Sequence, residues 1–105
     1  MKVLAIIDLA MGVEPREALS RLDEELLGSW RLFASDVLRE AYATEDPRRV
    51  VFVVEAADLK AAEDALATLP LVKLGLFTVQ LTELRPFANW SRLFSQDNRD
   101  ALAKR

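Results

Sequence analysis

The groups of this chain that could transfer protons are carboxylates, one tyrosine and basic side chains, because the sequence has no histidine and no cysteine. That composition excludes disulfides, thiolate nucleophiles, imidazole acid–base catalysis and Cys/His zinc sites. Glu55 is the most unusual candidate, since its carboxylate ends an otherwise apolar segment. One interpretation makes Glu55 a general base, with Arg39 positioning an anionic substrate. The other is a structural ion pair of Glu55 with Arg39 or Lys2.

Tyr42 and Asp8 are the next candidates. Tyr42, the only tyrosine, could donate a hydrogen bond that polarises a substrate carbonyl for enolisation, or it could cover a strand with its hydroxyl at the rim. Asp8 lies in an apolar segment near its end and is expected near Arg48 or Arg49. A polar residue there suits a substrate-binding pocket, and it equally suits a turn-stabilising carboxylate.

The two tryptophans and an acidic run complete the set of candidates. Trp30 lies on an apolar helical stripe, so we expect it in the core and secondarily as a wall of the substrate pocket. Trp90 is a candidate substrate-binding residue in the C-terminal tail. The acidic run 23–25 is interpreted as a solvated helix face, because consecutive positions fan around a helix. The sequence has neither metal-ligand nor phosphate-loop spacing, so we expect no metal and no cofactor.

Size and charge limit the partners that this chain is expected to bind. It has 105 residues, 51% hydrophobic and 30% charged, and a formal charge of −3 from 14 basic and 17 acidic side chains. This composition is typical of one soluble globular domain, and its net negative charge argues against nucleic-acid binding. No stretch approaches the ~20 apolar residues that span a bilayer. With no targeting segment visible, we expect a cytoplasmic protein and no membrane partner.

Strand-like and helix-like patterns alternate along the chain. Two segments are apolar on both parities, as central strands are, and two carry polar residues on one side, as edge strands do. Apolar residues recur at helical spacing in two further segments, which are predicted to be helices with an apolar stripe and a solvated side. The second helix is predicted to begin after the N-cap Asp58 and to stop at Pro70. The predicted strands are 2–9, 37–44, 49–56 and 75–84, and the predicted helices are 15–34 and 58–69.

The order β-α-β-β-α-β has one obvious solution when crossovers are right-handed. It is an α+β, ferredoxin-like fold, in which a four-stranded antiparallel sheet of order 4-1-3-2 carries both helices on one face. Strands one and three are then central, in agreement with their two-sided apolar patterns. Because the helices cover only one face of the sheet, we expect a second copy of the chain to cover the other.

Three short features carry a resemblance to a known family: Gly28 and Trp30 in the first helix, Leu69-Pro70-Leu71-Val72 after the second, and Leu84-Arg85-Pro86 closing the last strand. In these features residues 1–86 resemble the dimeric α/β-barrel superfamily, most closely its muconolactone-isomerase-like branch. The resemblance implies a homodimer and a cofactor-free isomerase that moves a proton within a small lactone or carbonyl compound. A cofactor-free monooxygenase and a non-catalytic module, which binds a small hydrophobic molecule or serves in assembly, are the alternatives.

The chain departs from that family after its last strand. Arg85-Pro86-Phe87 replaces the His-Pro-Ser stretch that tends to follow this strand in muconolactone isomerases. Residues 87–105 then form a tail beyond the 1–86 domain. Its large apolar groups have a spacing that fits a short helix, and each gains roughly 1.5–3 kcal/mol when fully buried. We therefore expect the tail to pack against the partner subunit or over the edge of the barrel, through Phe87, Trp90, Leu93 and Phe94.

Overall fold

The computed structural model describes residues 1–95 and 98–103, which form one antiparallel sheet and a set of short helices. The strands are β1 Lys2–Leu9, β2 Leu38–Glu45, β3 Arg48–Glu55 and β4 Phe77–Leu84. The helices are α1 Pro15–Leu19, α2 Leu22–Ala34, α3 Leu59–Leu66, α4 Pro70–Lys73, a 3-10 helix Ala88–Phe94 and α5 Arg99–Ala103. Within the described residues, none of these helices has the length and apolar character needed to cross a membrane.

The sheet has the strand order β2-β3-β1-β4, and every neighbouring pair is antiparallel. Counted from the other edge this order is 4-1-3-2, so the predicted order and the central positions of β1 and β3 are confirmed. The α+β class is confirmed as well, and the arrangement is consistent with a ferredoxin-like fold. The two-sided apolar pattern was therefore a valid signal for the central strands.

One face of the sheet carries the hydrophobic core, because side chains alternate between the two faces of each strand. On this face Val3, Ala5 and Ile7 of β1 are buried beside Phe52 and Val54 of β3. The helical side of the core adds three buried residues, Ala62, Leu66 and Leu69. Packing between α3, α4 and β4 holds the second helical region over this face.

The other side of the sheet, which we call the open face, is also partly apolar. Leu4 and Ile6 of β1 and Val51 of β3 lie on it by alternation, and each is half-buried rather than buried. Polar residues of the edge strand β4 share this face, since Thr82 and Gln80 stand opposite Leu4 and Ile6. The central strands are thus apolar on both sides, although the core occupies only one.

The first predicted helix, 15–34, is wrong as one continuous element. It is divided into α1 and α2 at Ser20 and Arg21. The Ser20 hydroxyl donates a hydrogen bond to the carbonyl of Glu17 at 2.8 Å, a local bond that competes with continued helix.

The apolar stripe of this helix is largely exposed, so the expectation that Trp30 lies in the core is wrong. Instead, Glu25 is 8% exposed and Gly28 packs against the loop before α4. A methyl group on Gly28 would lie 3.2 Å from Leu69 Cδ2, so the Leu69 side chain would have to shift by a few tenths of an ångström to admit alanine. Successive residues of an α-helix are rotated by about 100°, so Glu25 and Gly28 lie on a different side of α2 from the apolar stripe. Because the Glu25/Gly28 side faces the protein, the apolar stripe remains at the surface. The stripe residues and their exposed fractions are Leu22 38%, Leu26 54%, Trp30 63% and Phe33 47%.

The second predicted helix is shorter than its predicted range, 58–69. Asp58 is the predicted N-cap, and its carboxylate accepts a hydrogen bond from the Ala61 amide at 2.7 Å. Helix α3 ends at Leu66, before the proline that was expected to stop it. Pro70 instead begins α4, because the first helical position needs no N–H donor.

The C-terminal tail extends away from the sheet. The radius of gyration is 18.4 Å, whereas about 13 Å is expected for a compact domain of this length. The short helix predicted from the spacing is confirmed as the 3-10 helix, and packing of the tail on a partner stays a prediction. Its large side chains are exposed by 61%, 65%, 39% and 66% at Phe87, Trp90, Leu93 and Phe94. Four other residues of the tail lie outside the described part of the chain: Gln96, Asp97, Lys104 and Arg105.

Candidate ligand-binding site

Glu55 lies at the end of β3 on the open face, opposite Lys2 in the sheet register. Its carboxylate is 3.3 Å from the amino group of Met1, and its side chain is 44% exposed. Arg39, the other expected partner, is engaged elsewhere: its Nε donates to the carbonyl of Asp36 at 2.6 Å. The expected ion pair of Glu55 with Arg39 or Lys2 is therefore replaced by a pair with the chain terminus.

Tyr42 also lies on the open face, opposite Val51. Its hydroxyl donates to Glu40 Oε1 at 2.6 Å, and this hydrogen bond raises the pKa of Tyr42. Val51 and Glu55 are four positions apart on β3, which corresponds to about 13 Å along a strand. The described chain therefore places Glu55 and Tyr42 on one face, but it does not bring them together in one cavity.

Asp8 makes one of the contacts expected from the sequence. Its Oδ1 accepts a hydrogen bond from Arg49 Nε at 2.9 Å, and both side chains are partly exposed. The pair joins the ends of β1 and β3 on the open face, where their paired ladder has stopped. Its partner Arg49 also lines the cavity described next.

Trp30 and Trp90 do not line the cavity to which Arg49 contributes. Trp30 stacks on Phe33 with ring centroids 5.4 Å apart, on the exposed side of α2. Trp90 meets the edge of Phe87 at 5.3 Å in the tail. Both indoles are thus exposed on the single chain, by 63% at Trp30 and 65% at Trp90, and their roles as a pocket wall and as a substrate contact stay predictions.

A cavity of about 310 Å³ lies between the core face of the sheet and the short helices above it. Ile7, Val50 and Phe77 of the strands form its floor, and Leu19 and Leu22 of α1 and α2 form its roof. The volume falls at the lower end of the range of small-molecule sites, which are lined mainly by apolar side chains. The cavity can therefore hold a small apolar body between the two layers of the fold.

Arg48 supplies the cavity with a cation at its mouth. It lies two residues from Val50 on β3, so both side chains are on the core face, whereas Arg49 is on the open face with Asp8. Glu45 stands opposite Arg48 in the register, but within the described residues no carboxylate lies within 4.0 Å of the Arg48 guanidinium. A planar guanidinium with free donors is the group that binds carboxylates in a bidentate manner.

A buried carboxylate holds the inner wall of the cavity. Leu71, which lines the cavity, donates its backbone N–H to Glu25 Oε1 at 2.9 Å. Burial raises the pKa of Glu25, an effect partly opposed by this hydrogen bond. The interpretation of 23–25 as a solvated face is therefore wrong for Glu25. The useful signal in the sequence was Gly28, which lies on the same side of the helix one turn later.

No protein-family model matches this sequence, and no curated protein is similar enough to it to count as a relative. In the described part of the chain, no three acidic side chains are grouped as metal ligands would be. The side chains that could act on a ligand lie in three places: the cavity itself, the Asp8–Arg49 pair beside it, and the open face with Glu55 and Tyr42.

Proposed function

We propose that this chain binds a small amphipathic carboxylate in the cavity between the sheet, α1 and α2. The observation that carries the proposal is an apolar cavity of about 310 Å³ with the guanidinium of Arg48 at its mouth. The apolar part of the ligand lies between Val50 and Leu22, and its carboxylate accepts hydrogen bonds from Arg48. This is the small-ligand-binding module that the sequence offered as an alternative to an enzyme.

The ligand class follows from the two parts of the site. Apolar walls contribute roughly 25 cal/mol per Å² of ligand surface that they remove from water. These walls favour a ligand with an apolar part, but they do not determine which end of the ligand points toward the mouth of the cavity. A hydrogen bond to a charged group is worth about 1.5–3 kcal/mol, and the partial exposure of this site places Arg48 near the lower value. The cation therefore orients the ligand and favours acids over neutral molecules of the same shape.

Calorimetric titration with 4-phenylbutanoate tests this proposal, with 4-phenylbutanamide as the neutral comparison. The variant Arg48→Gln removes the cation, and Arg31→Gln is the matched control because Arg31 is an exposed residue of α2 that does not line the cavity. We expect Arg48→Gln to weaken binding of the acid about tenfold, which is 1.4 kcal/mol, and to leave the amide unchanged. Equal affinity of both variants for the acid contradicts the proposal.

A second candidate function is proton-transfer isomerisation in a homodimeric α/β barrel of the muconolactone-isomerase-like type. One observation favours it: Glu55 and Tyr42 share the open face, where Leu4 and Ile6 are half-buried. In this proposal, a second copy that covers the open face encloses these side chains in the space between two sheets. Glu55 then acts as the base and Tyr42 as the donor to a substrate carbonyl.

Hydrogen–deuterium exchange tests this second candidate. A small unsaturated lactone is incubated with the protein in D₂O, and exchange at the carbon beside its carbonyl is followed by NMR. Catalysed exchange that Glu55→Gln abolishes, with the fold retained by circular dichroism, supports the isomerase. Exchange at the uncatalysed rate, or exchange that survives in Glu55→Gln, contradicts it.

A further inference from the structure

One exposed apolar surface of this fold lies on α2. Leu22, Leu26, Trp30 and Phe33, which we call the α2 stripe, are each more than a third exposed. Leu26, Trp30 and Phe33 form one wall of a groove of about 570 Å³, and the first residues of β2 form the other. This groove is separate from the ligand cavity, with which it shares no lining residue.

The second exposed apolar surface is the tail segment 87–95. Three of its large side chains lie on a 3-10 helix and Phe87 directly precedes it; this helix makes its main tertiary contacts with α5, and not with the sheet. Trp90 and Phe94 are each about two thirds exposed. Such groups are costly to leave in water, and the tail segment gains by packing on an apolar surface.

We propose that the tail segment of one copy packs into the α2 groove of a second copy, and that the exchange is reciprocal. The proposal rests on the two-copy barrel given above, because it uses that assembly to bring the two surfaces together. In that barrel the α2 stripe remains exposed, and the exchange places the partner's tail segment on it.

The positions of the strands in the sheet support this exchange. The sheet has two free edges, β2 and β4, and a barrel built from two copies brings β4 of one copy beside β2 of the other. The chain leaves β4 at the end of the sheet where β1 begins and β3 ends, and β2 begins at this same end. Helix α2 contacts β2, so the tail emerges beside the partner's α2 groove.

The areas of the two surfaces are also consistent with a stable dimer. A large side chain presents about 200 Å², so the exposed fractions correspond to roughly 330 Å² for Leu26, Trp30 and Phe33 of the groove and roughly 460 Å² for the tail segment. Neither surface alone reaches the ~800 Å² per partner of a standard interface. Together they come close to it, because reciprocal exchange uses both surfaces of each copy.

One pair of charges at the rims of the two surfaces has opposite signs. The groove is lined by both Arg39 and Glu40, and Glu40 is the one that can pair with Arg92, which lies in the tail segment between Trp90 and Leu93. Within the described residues, Arg92 makes no ion pair with its own chain. A rim pair of this kind adds little affinity but sets the orientation of the tail.

Disulfide trapping tests the exchange, since the native chain contains no cysteine. Ser29→Cys places one thiol in the groove, and Ser91→Cys places one in the tail segment. The two full-length single-cysteine variants carry tags of different size and are mixed and oxidised. We expect a mixed disulfide dimer that forms at least tenfold faster than with the control Ser20→Cys, which lies in the exposed turn between α1 and α2.

Sedimentation of the unmodified full chain separates failure of this inference from failure of the barrel. A dimer whose Ser29→Cys and Ser91→Cys variants cross-link no faster than the Ser20→Cys control contradicts the tail exchange alone. A chain that remains monomeric up to millimolar concentration contradicts the barrel and the exchange together. Substituting both Trp90 and Phe94 by Ala should raise the dimer dissociation constant at least tenfold, and an unchanged constant also contradicts the exchange.

Discussion

Glu25 allows the sharpest test of how this fold is held together, because two substitutions separate its two roles. Its carboxylate accepts the hydrogen bond from Leu71 N–H at 2.9 Å, and it does so while 8% exposed. Glu25→Ala removes the acceptor and leaves a buried donor without a partner. Such a donor costs about 1–3 kcal/mol, so the free energy of unfolding should fall by about that amount at pH 4.5. The loss should be smaller at pH 7.5, because the parent then loses stability through Glu25 and the Ala variant does not.

Glu25→Gln keeps an acceptor oxygen but cannot ionise. Burial raises the pKa of Glu25 above its ordinary value of 4.5, so the folded chain binds its proton more tightly than the unfolded chain does. Stability that depends on this proton is fully present below pH 4.5 and is lost as the pH rises through the raised pKa. The Gln variant avoids this loss, and we expect it to be at least as stable as the parent at pH 7.5.

Urea denaturation followed by circular dichroism, at pH 4.5 and at pH 7.5, measures these differences. The free energy of unfolding of the Gln variant minus that of the parent should be larger at pH 7.5 than at pH 4.5. A Gln variant that loses as much stability at pH 7.5 as the Ala variant would refute the reasoning, because the ionised carboxylate itself would then be stabilising. An Ala variant equal to the parent at pH 4.5 would show that the hydrogen bond to Leu71 contributes nothing.

Substitutions at two further positions test local features of the fold by the same assay. Asp58→Ala removes the N-cap acceptor of α3 and should lower the free energy of unfolding by about 1 kcal/mol. Asp58→Asn keeps an acceptor oxygen and should retain most of that stability. An equal loss in both variants contradicts the capping role. Gly75 has a φ of +75°, and no atom lies within 4 Å of the position that a methyl group would take there. Gly75→Ala should therefore cost about 1–2 kcal/mol through backbone strain alone, and a stabilised variant would contradict that account.

The sheet was predictable from the sequence because its signals are local and repeated. In β1 and β3, successive apolar residues such as Ile6 and Ile7, or Val53 and Val54, leave no polar side for solvent. That pattern fits only central strands, and the right-handed crossover rule then fixes the order. The bounds of the strands followed to within two residues.

The orientation of α2 was not predictable in this way. The spacing of Leu26, Trp30 and Phe33 shows that they share a side of the helix, but it does not show what that side faces. The orientation depends on packing of α2 against β2 and against α4, as at Gly28 and Leu69, and this packing joins residues that are far apart in the sequence. Glu25 was missed for the same reason, since its partner is an amide 46 residues away.

The ligand cavity was only partly visible in the sequence. Arg48 drew notice there as a possible neighbour of Asp8, but Arg49 makes that contact and leaves Arg48 on the other face. Strand alternation from Val50 gives this result once the register is known. The roof of the cavity could not be foreseen, because it depends on the division of the first helix at Ser20.

Mapping of ligand-induced shifts in the ¹H–¹⁵N NMR spectrum tests the central claim most directly. The full chain is titrated with 4-phenylbutanoate, and the backbone amides that shift are assigned. The account predicts that the largest shifts cluster around the cavity, at Ile7, Val50, Leu71 and Phe77. Saturable shifts that instead cluster on the open face around Tyr42 and Glu55, or no saturable shifts at all, would contradict it.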